Sequence, residues 1–110
     1  MQYSKQVLGF IYKQSKGETT KFKIEEVVDG ILGDAYAYRH LFHGWRWGDT
    51  CSGVWEVCVF LQKEKLIKAI SDDGTYMKDF QFKFLPKIDY TIYEKMYEKG
   101  KLANKIREHC

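Results

Sequence analysis

Apolar residues in the first two thirds of the chain recur at helical spacing. Val7, Leu8, Ile11 and Tyr12 follow i, i+1, i+4, i+5 and predict a helix over residues 4–15, with Ser4 as its cap and Gly17 as its stop. Thr20 to Lys23 is short and β-leaning, a brief first strand. Ile24, Val27, Val28 and Ile31 then repeat at i, i+3, i+4, i+7, an amphipathic helix ended by Gly33. Its first turn holds Glu25 and Glu26, where the helix dipole favours acids. A third helical pattern, Val54, Cys58 and Leu61, runs from a cap at Asp49 or Thr50 to about Lys65.

Beyond that point the period changes. Leu66–Ser71 and Tyr76–Leu85 predict a hairpin around Asp72-Asp73-Gly74. Phe80, Phe82 and Phe84 share one face because strand side chains alternate, and Asp79, Gln81 and Lys83 take the other. Pro86 ends the strand. Asp89 caps a last helix with Ile92, Tyr93, Met96 and Tyr97 on one side, Ala103 and Ile106 further along, and Gly100 as a point of kinking.

Residues 33–49 interrupt the scheme. A minimal helix-turn-helix joins its helices through roughly three or four residues, and this segment is far longer. It is rich in aromatics: Tyr36, Tyr38, Phe42, Trp45 and Trp47, with Arg39 and Arg46 among them. Three readings stay open. The aromatics complete the core, or form a protein hot spot, where Trp, Tyr and Arg are enriched, or stack on bases while the arginines meet phosphate.

Helix, charged turn, Leu66-Ile67, strand, Asp-Gly turn and strand together resemble the winged helix-turn-helix superfamily, over roughly residues 4–85 minus the insertion. Val54, Cys58, Leu61 and Leu66-Ile67 match its pattern. Glycine usually precedes the Leu-Ile pair in that family, and here the residue is Lys65. Phe22–Leu32 and Met77–Phe84 carry a weaker resemblance to DEP domains, winged helices that bind proteins and membranes. The resemblance implies an α+β winged helix over residues 1–88, with the 33–49 insertion before the third core helix. The helix predicted over 89–110 is then an addition, and the resemblance implies its use in a homodimer, since winged-helix regulators often dimerise through such terminal helices.

Composition narrows the class. The chain has 110 residues, 45% apolar, enough for one domain with its own core. No apolar run approaches the roughly 20 residues that span a bilayer, and Met1–Lys5 lacks a signal-peptide apolar region. A cytoplasmic location follows, with no membrane partner. Three cysteines give no disulfide framework. Net charge is +3, and residues 1–24 hold five lysines against one glutamate.

This distribution permits binding to double-stranded DNA, as a small regulator. Its candidate residues are Lys21, Lys23, Arg39, Arg46, Thr50, Ser52, Lys63 and Lys78. Lys68 is a further wing lysine, although the wing tip is acidic at Asp72 and Asp73. The helix placed to read bases carries Trp55, Glu56 and Val59 outward, where DNA readers carry basic or small polar residues. The alternative is therefore a protein partner engaged by Trp45, Trp47, Trp55, Glu56 and Val59. Such a chain would suit a viral or mobile-element inhibitor of a host nucleic-acid enzyme.

Enzymatic chemistry finds little footing. His40, His43, Cys51 and Cys58 are zinc-ligand types at non-standard spacing. Cys51 with His43 lacks an orienting third group, even if a helix N-terminus lowers the thiol pKa. No phosphate loop or dinucleotide fingerprint occurs. The expectation is a non-enzyme with no cofactor and no metal.

Overall fold

A computed structural model describes residues 3–15, 20–43, 46–71 and 76–109, with residues 104–109 described by their backbone alone. It is a mixed α+β domain of five helices and a small three-stranded antiparallel sheet. In chain order the elements are α1 (Ser4–Ser15), β1 (Lys21–Lys23), α2 (Ile24–Gly33), α3 (Ala35–Phe42), α4 (Trp47–Lys63), β2 (Ile67–Ala69), β3 (Gln81–Phe84) and α5 (Thr91–His109). Gly17 and the turn at Asp72–Gly74 lie outside the described residues.

The helical pattern holds α1, α2 and α4 together. Val7, Leu8, Ile11, Val27, Val28, Ile31, Val54, Cys58 and Leu61 are all buried in one cluster. The sheet closes this cluster from one side. Its strand order is β1-β3-β2, so the first strand pairs with the last. Phe22 pairs with Phe82, and Ala69 with Phe82, which sets their side chains on the core face.

α4 begins earlier than its expected cap. Both the backbone N–H and the hydroxyl of Thr50 donate to the Arg46 carbonyl, at 2.8 and 2.9 Å, which closes the first turn from Trp47. Its C-terminus follows a helix-stop geometry. The Leu66 N–H donates to Leu61 O and the Lys65 N–H to Gln62 O, with Lys65 left-handed at φ 61°. Lys65 thus takes the conformation that glycine favours at this position.

β3 is shorter than the alternation suggested. A 3₁₀ turn at Met77–Asp79 replaces its first part. The turn lets the Phe80 carbonyl accept from the Ile24 N–H at 3.1 Å and sets the Phe80 ring edge-on to Trp55.

Residues 34–42 are structural in large part. Asp34 accepts from the N–H groups of Tyr36 and Ala37 and so starts α3, which adds Ala37, Leu41 and Phe42 to the core. α5 is one helix, not split at Gly100. It packs along α1 at close range, since a Cβ on Gly9 would lie 1.9 Å from the Tyr93 carbonyl oxygen. Tyr90 and Tyr97 enter the same core cluster. The Tyr90 hydroxyl also ties the strands: it donates to Leu66 O at 2.6 Å and accepts from the Leu85 N–H at 2.7 Å. Among the described residues no helix is long and apolar enough to cross a membrane.

Candidate nucleic-acid interface

Because strand side chains alternate, the sheet has an outer face opposite Phe22 and Phe82. The register puts Lys21 opposite Lys83, and Lys83 opposite Lys68. Three exposed lysines therefore stand abreast, one on each strand. Lys23 and Gln81 form the next row, beside a shallow depression of about 300 Å³ that Lys21 and Glu26 also line. Neither Lys68 nor Lys83 has an acidic partner within ion-pair distance among the described residues.

Like charges directly opposite across strands are destabilising. Lysines on the edge strands β1 and β2 have a common use, which is to block edge-to-edge aggregation. Edge protection does not account for Lys83, which sits on the central strand. An anion laid across the face would relieve the repulsion at Lys83 and Lys68.

The outer face of α4 is chemically opposite. Asp49, Ser52, Gly53 and Glu56, at i, i+3, i+4 and i+7, line a depression of about 360 Å³. Asp49 and Glu56 are both exposed. This is the helix face on which DNA contacts would be sought, and its charge is wrong for phosphate.

The candidate DNA residues scatter accordingly. Lys21 and Lys23 join the sheet face. Arg39 is exposed on α3, and Arg46 is exposed just before α4. Ser52 is exposed among the α4 acids, and Lys63 is exposed at the far end of that helix. Lys78 is exposed in the 3₁₀ turn, near enough to Cys51 to act on its thiol. Thr50 drops out, because it is 0% exposed and its hydroxyl is spent on Arg46 O.

The protein-interface set is also thinned. Trp45 lies outside the described residues. Trp55 is half-buried, its ring 4.7 Å from that of Phe80, so it supports the sheet more than it presents a patch. Val59 is half-buried too. Trp47 remains 40% exposed, with its indole N–H donated to Asp29. Glu56 remains exposed. Tyr36 turns inward and donates its hydroxyl to the Gly100 carbonyl at 2.8 Å, and Phe42 packs edge-on against Tyr3.

The histidines and cysteines do not converge. Among the described residues no three His, Cys, Asp or Glu side chains are placed to hold a metal ion. His40 is bonded to Gln6 at 2.6 Å, and burial lowers its pKa. Cys58 is fully buried, which pushes its thiol far above the usual range. The Cys51 thiol is also raised, first by burial and then by Glu25, with Lys78 offsetting in part. That reverses the lowering expected from a helix N-terminus.

Lys83 is the residue of the lysine row that the sequence reading left out, while Lys68 entered only as a wing lysine. Alternation gave Lys83 an outward direction, but pairing of β1 with β3 across some sixty residues left no local trace. No known protein family, no characterised protein and no solved structure matches the chain.

Proposed function

We propose that this protein is a winged helix that binds double-stranded DNA through its phosphate backbone, using the outer face of the sheet. The fold reading rests on the order α1-β1-α2-α4-β2-β3 with strand order β1-β3-β2, in which α3 is the insertion and α5 the addition. The functional reading rests on one observation: exposed lysines abreast on all three strands, the central one included.

Strands lie about 4.8 Å apart, so the row spans roughly 10 Å. Duplex DNA carries one charge per roughly 1.7 Å of axis, and several phosphates fall within reach of such a row. No aromatic side chain lies on this face among Lys21, Lys23, Lys68, Gln81 and Lys83, and the α4 face is acidic. Backbone contacts hold a protein on DNA without reading sequence. The expected binding is therefore independent of sequence.

Fluorescence anisotropy with labelled duplexes of unrelated sequence tests this. Equal affinity is expected, with log K falling against log salt at a slope of about −3.6 if all four lysines meet phosphate. Absence of binding at low salt sinks the proposal.

A second reading has its own observation. Trp47 is exposed, and so are Tyr76 (79%), just before the 3₁₀ turn that packs on α2 and α4, and Met77 (39%) within it. Exposed Trp47, on the same helix as the exposed acids Asp49 and Glu56, suits a protein partner with basic residues. Loss of a captured partner in a folded Trp47→Ala variant would favour it. Self-association would use the exposed α5 residues Ile92 and Met96, and light scattering reports it.

A further inference from the structure

Where α1, the end of α2 and α5 meet, a cleft of about 310 Å³ opens to the surface. Phe10, Lys13, Gln14, Gly33, Asp34 and Tyr97 line it. Tyr97 is 1% exposed, and its hydroxyl is buried facing the Asp34 carboxylate, without a hydrogen bond of ordinary geometry. A buried hydroxyl left unsatisfied costs about 1–3 kcal/mol. Such a group at the wall of a cleft is a waiting contact for something polar.

The remaining polar groups of the cleft are nearly all acceptors. Asp34 has no basic partner within ion-pair distance among the described residues. Its Oδ1 takes the Tyr36 and Ala37 N–H groups, and the carboxylate also faces the Tyr97 hydroxyl, which leaves Oδ2 with acceptor capacity to spare. The Gln14 amide nitrogen is donated to Glu26 O at 3.1 Å, which leaves its oxygen. The C-terminal end of α2 adds the negative pole of a helix. Among the described residues lining the cleft Lys13 is the one cation, and it is paired with Glu98. Its Nζ stands 5.9 Å from the Tyr97 ring centroid, so that ring already has a cation over its face. Burial first, then the charges of Asp34, Glu98 and Tyr36 and the hydrogen-bonding approach of Asp34, raise the Tyr97 pKa. The phenol therefore stays neutral at physiological pH.

We propose that this cleft binds an organic ammonium group, held by Tyr97 Oη, Asp34 Oδ2 and Gln14 Oε1, with the attached carbon chain against Phe10. A primary ammonium has three donors and no acceptor, which matches three acceptors and no free donor charge. The same chemistry is offered by a small free amine and by a lysine side chain of another protein. The site lies on α1, α2 and α5, away from the lysine strands, and does not depend on DNA binding.

The test is an NMR titration of the ¹⁵N-labelled chain with n-pentylamine, with Nα-acetyl-lysine amide, and with 1-pentanol at matched ionic strength. Saturable shifts at Gly33, Asp34 and Tyr97 are expected with the amines and not with the alcohol. Response to both amines supports recognition of the ammonium from either source, and response to the blocked lysine alone assigns a protein lysine. Tyr97→Phe and Asp34→Asn should each weaken binding by about tenfold or more, and asparagine keeps the α3 cap. Gly33→Leu should abolish binding in a folded chain, because a Cβ there meets nothing within 4 Å and the side chain fills the cleft. Shifts that fail to saturate with either amine, an equal response to pentanol, or undiminished binding by folded Tyr97→Phe and Gly33→Leu would overturn the proposal.

Discussion

The outer face of the sheet and the outer face of α4 are built over the same core and carry opposite charge. On the sheet, Lys21, Lys83 and Lys68 stand in one row. On α4, Asp49 and Glu56 flank Ser52 and Gly53. On the winged-helix reading proposed above, α4 would hold the DNA-reading position. Its side chains repel the phosphates it would have to approach. A fold position supplies a scaffold, and the charges set on it decide which surface meets a polyanion.

The sharpest way to break this contrast is to reverse the sheet. A Lys68→Glu/Lys83→Glu double variant removes two cations and adds two anions on exposed positions that support no core contact. Duplex affinity should drop on the order of 100-fold at low salt, with the salt slope reduced by about 2. Anisotropy measures both. Affinity unchanged within error, in a variant with wild-type thermal stability, would move DNA binding off the sheet altogether.

The contrast also depends on how β2 and β3 are held. Tyr90 bonds Leu66 O and the Leu85 N–H, so α5 fixes the strands that carry Lys68 and Lys83. Tyr90→Phe leaves both backbone groups without that partner. A loss of about 1–3 kcal/mol in unfolding free energy is expected from denaturant titration. A loss well below this range would mean that water replaces the hydroxyl at little cost.

Much of this scaffold was legible in the sequence, and the sites were less so. The spacing of Val54, Cys58 and Leu61 announced α4, and Phe80, Phe82 and Phe84 announced a half-buried strand, because burial imposes the period on the residues. Trp55 and Val59 looked outward for the same reason: they flank that apolar line. What half-covers Trp55 is Phe80, brought in by a 3₁₀ turn that no periodicity encodes. Thr50 looked like a surface cap because Thr caps helices, yet its hydroxyl serves a carbonyl one turn earlier. The lysine row needed the strand order, and long-range pairing leaves no signal in either strand alone.

Between the two faces lies the turn that ends α4. Lys65 holds φ 61° there, a conformation that costs a side chain about 1–2 kcal/mol relative to the right-handed region. Lys65→Gly should raise stability by about 0.5–1 kcal/mol after the added freedom of the unfolded chain is counted. A shift in thermal midpoint reports it. Destabilisation would show that the lysine side chain contributes more to this turn than its backbone strain removes.

The smallest expected effect is the most discriminating. Glu56→Arg places a guanidinium where the α4 face has a carboxylate. With DNA on the sheet, this exposed charge acts on it only through solvent, where salt screens interactions beyond about 10 Å at 0.1 M. The affinity should rise by less than about threefold, and that gain should vanish as salt is added. With DNA on α4, the same change removes a repulsion at the contact itself and adds a phosphate ligand, so the gain should reach about tenfold or more and reverse with Glu56→Asp. A gain of that size would invert the assignment of the two faces, and the lysine row would then need another explanation for Lys83.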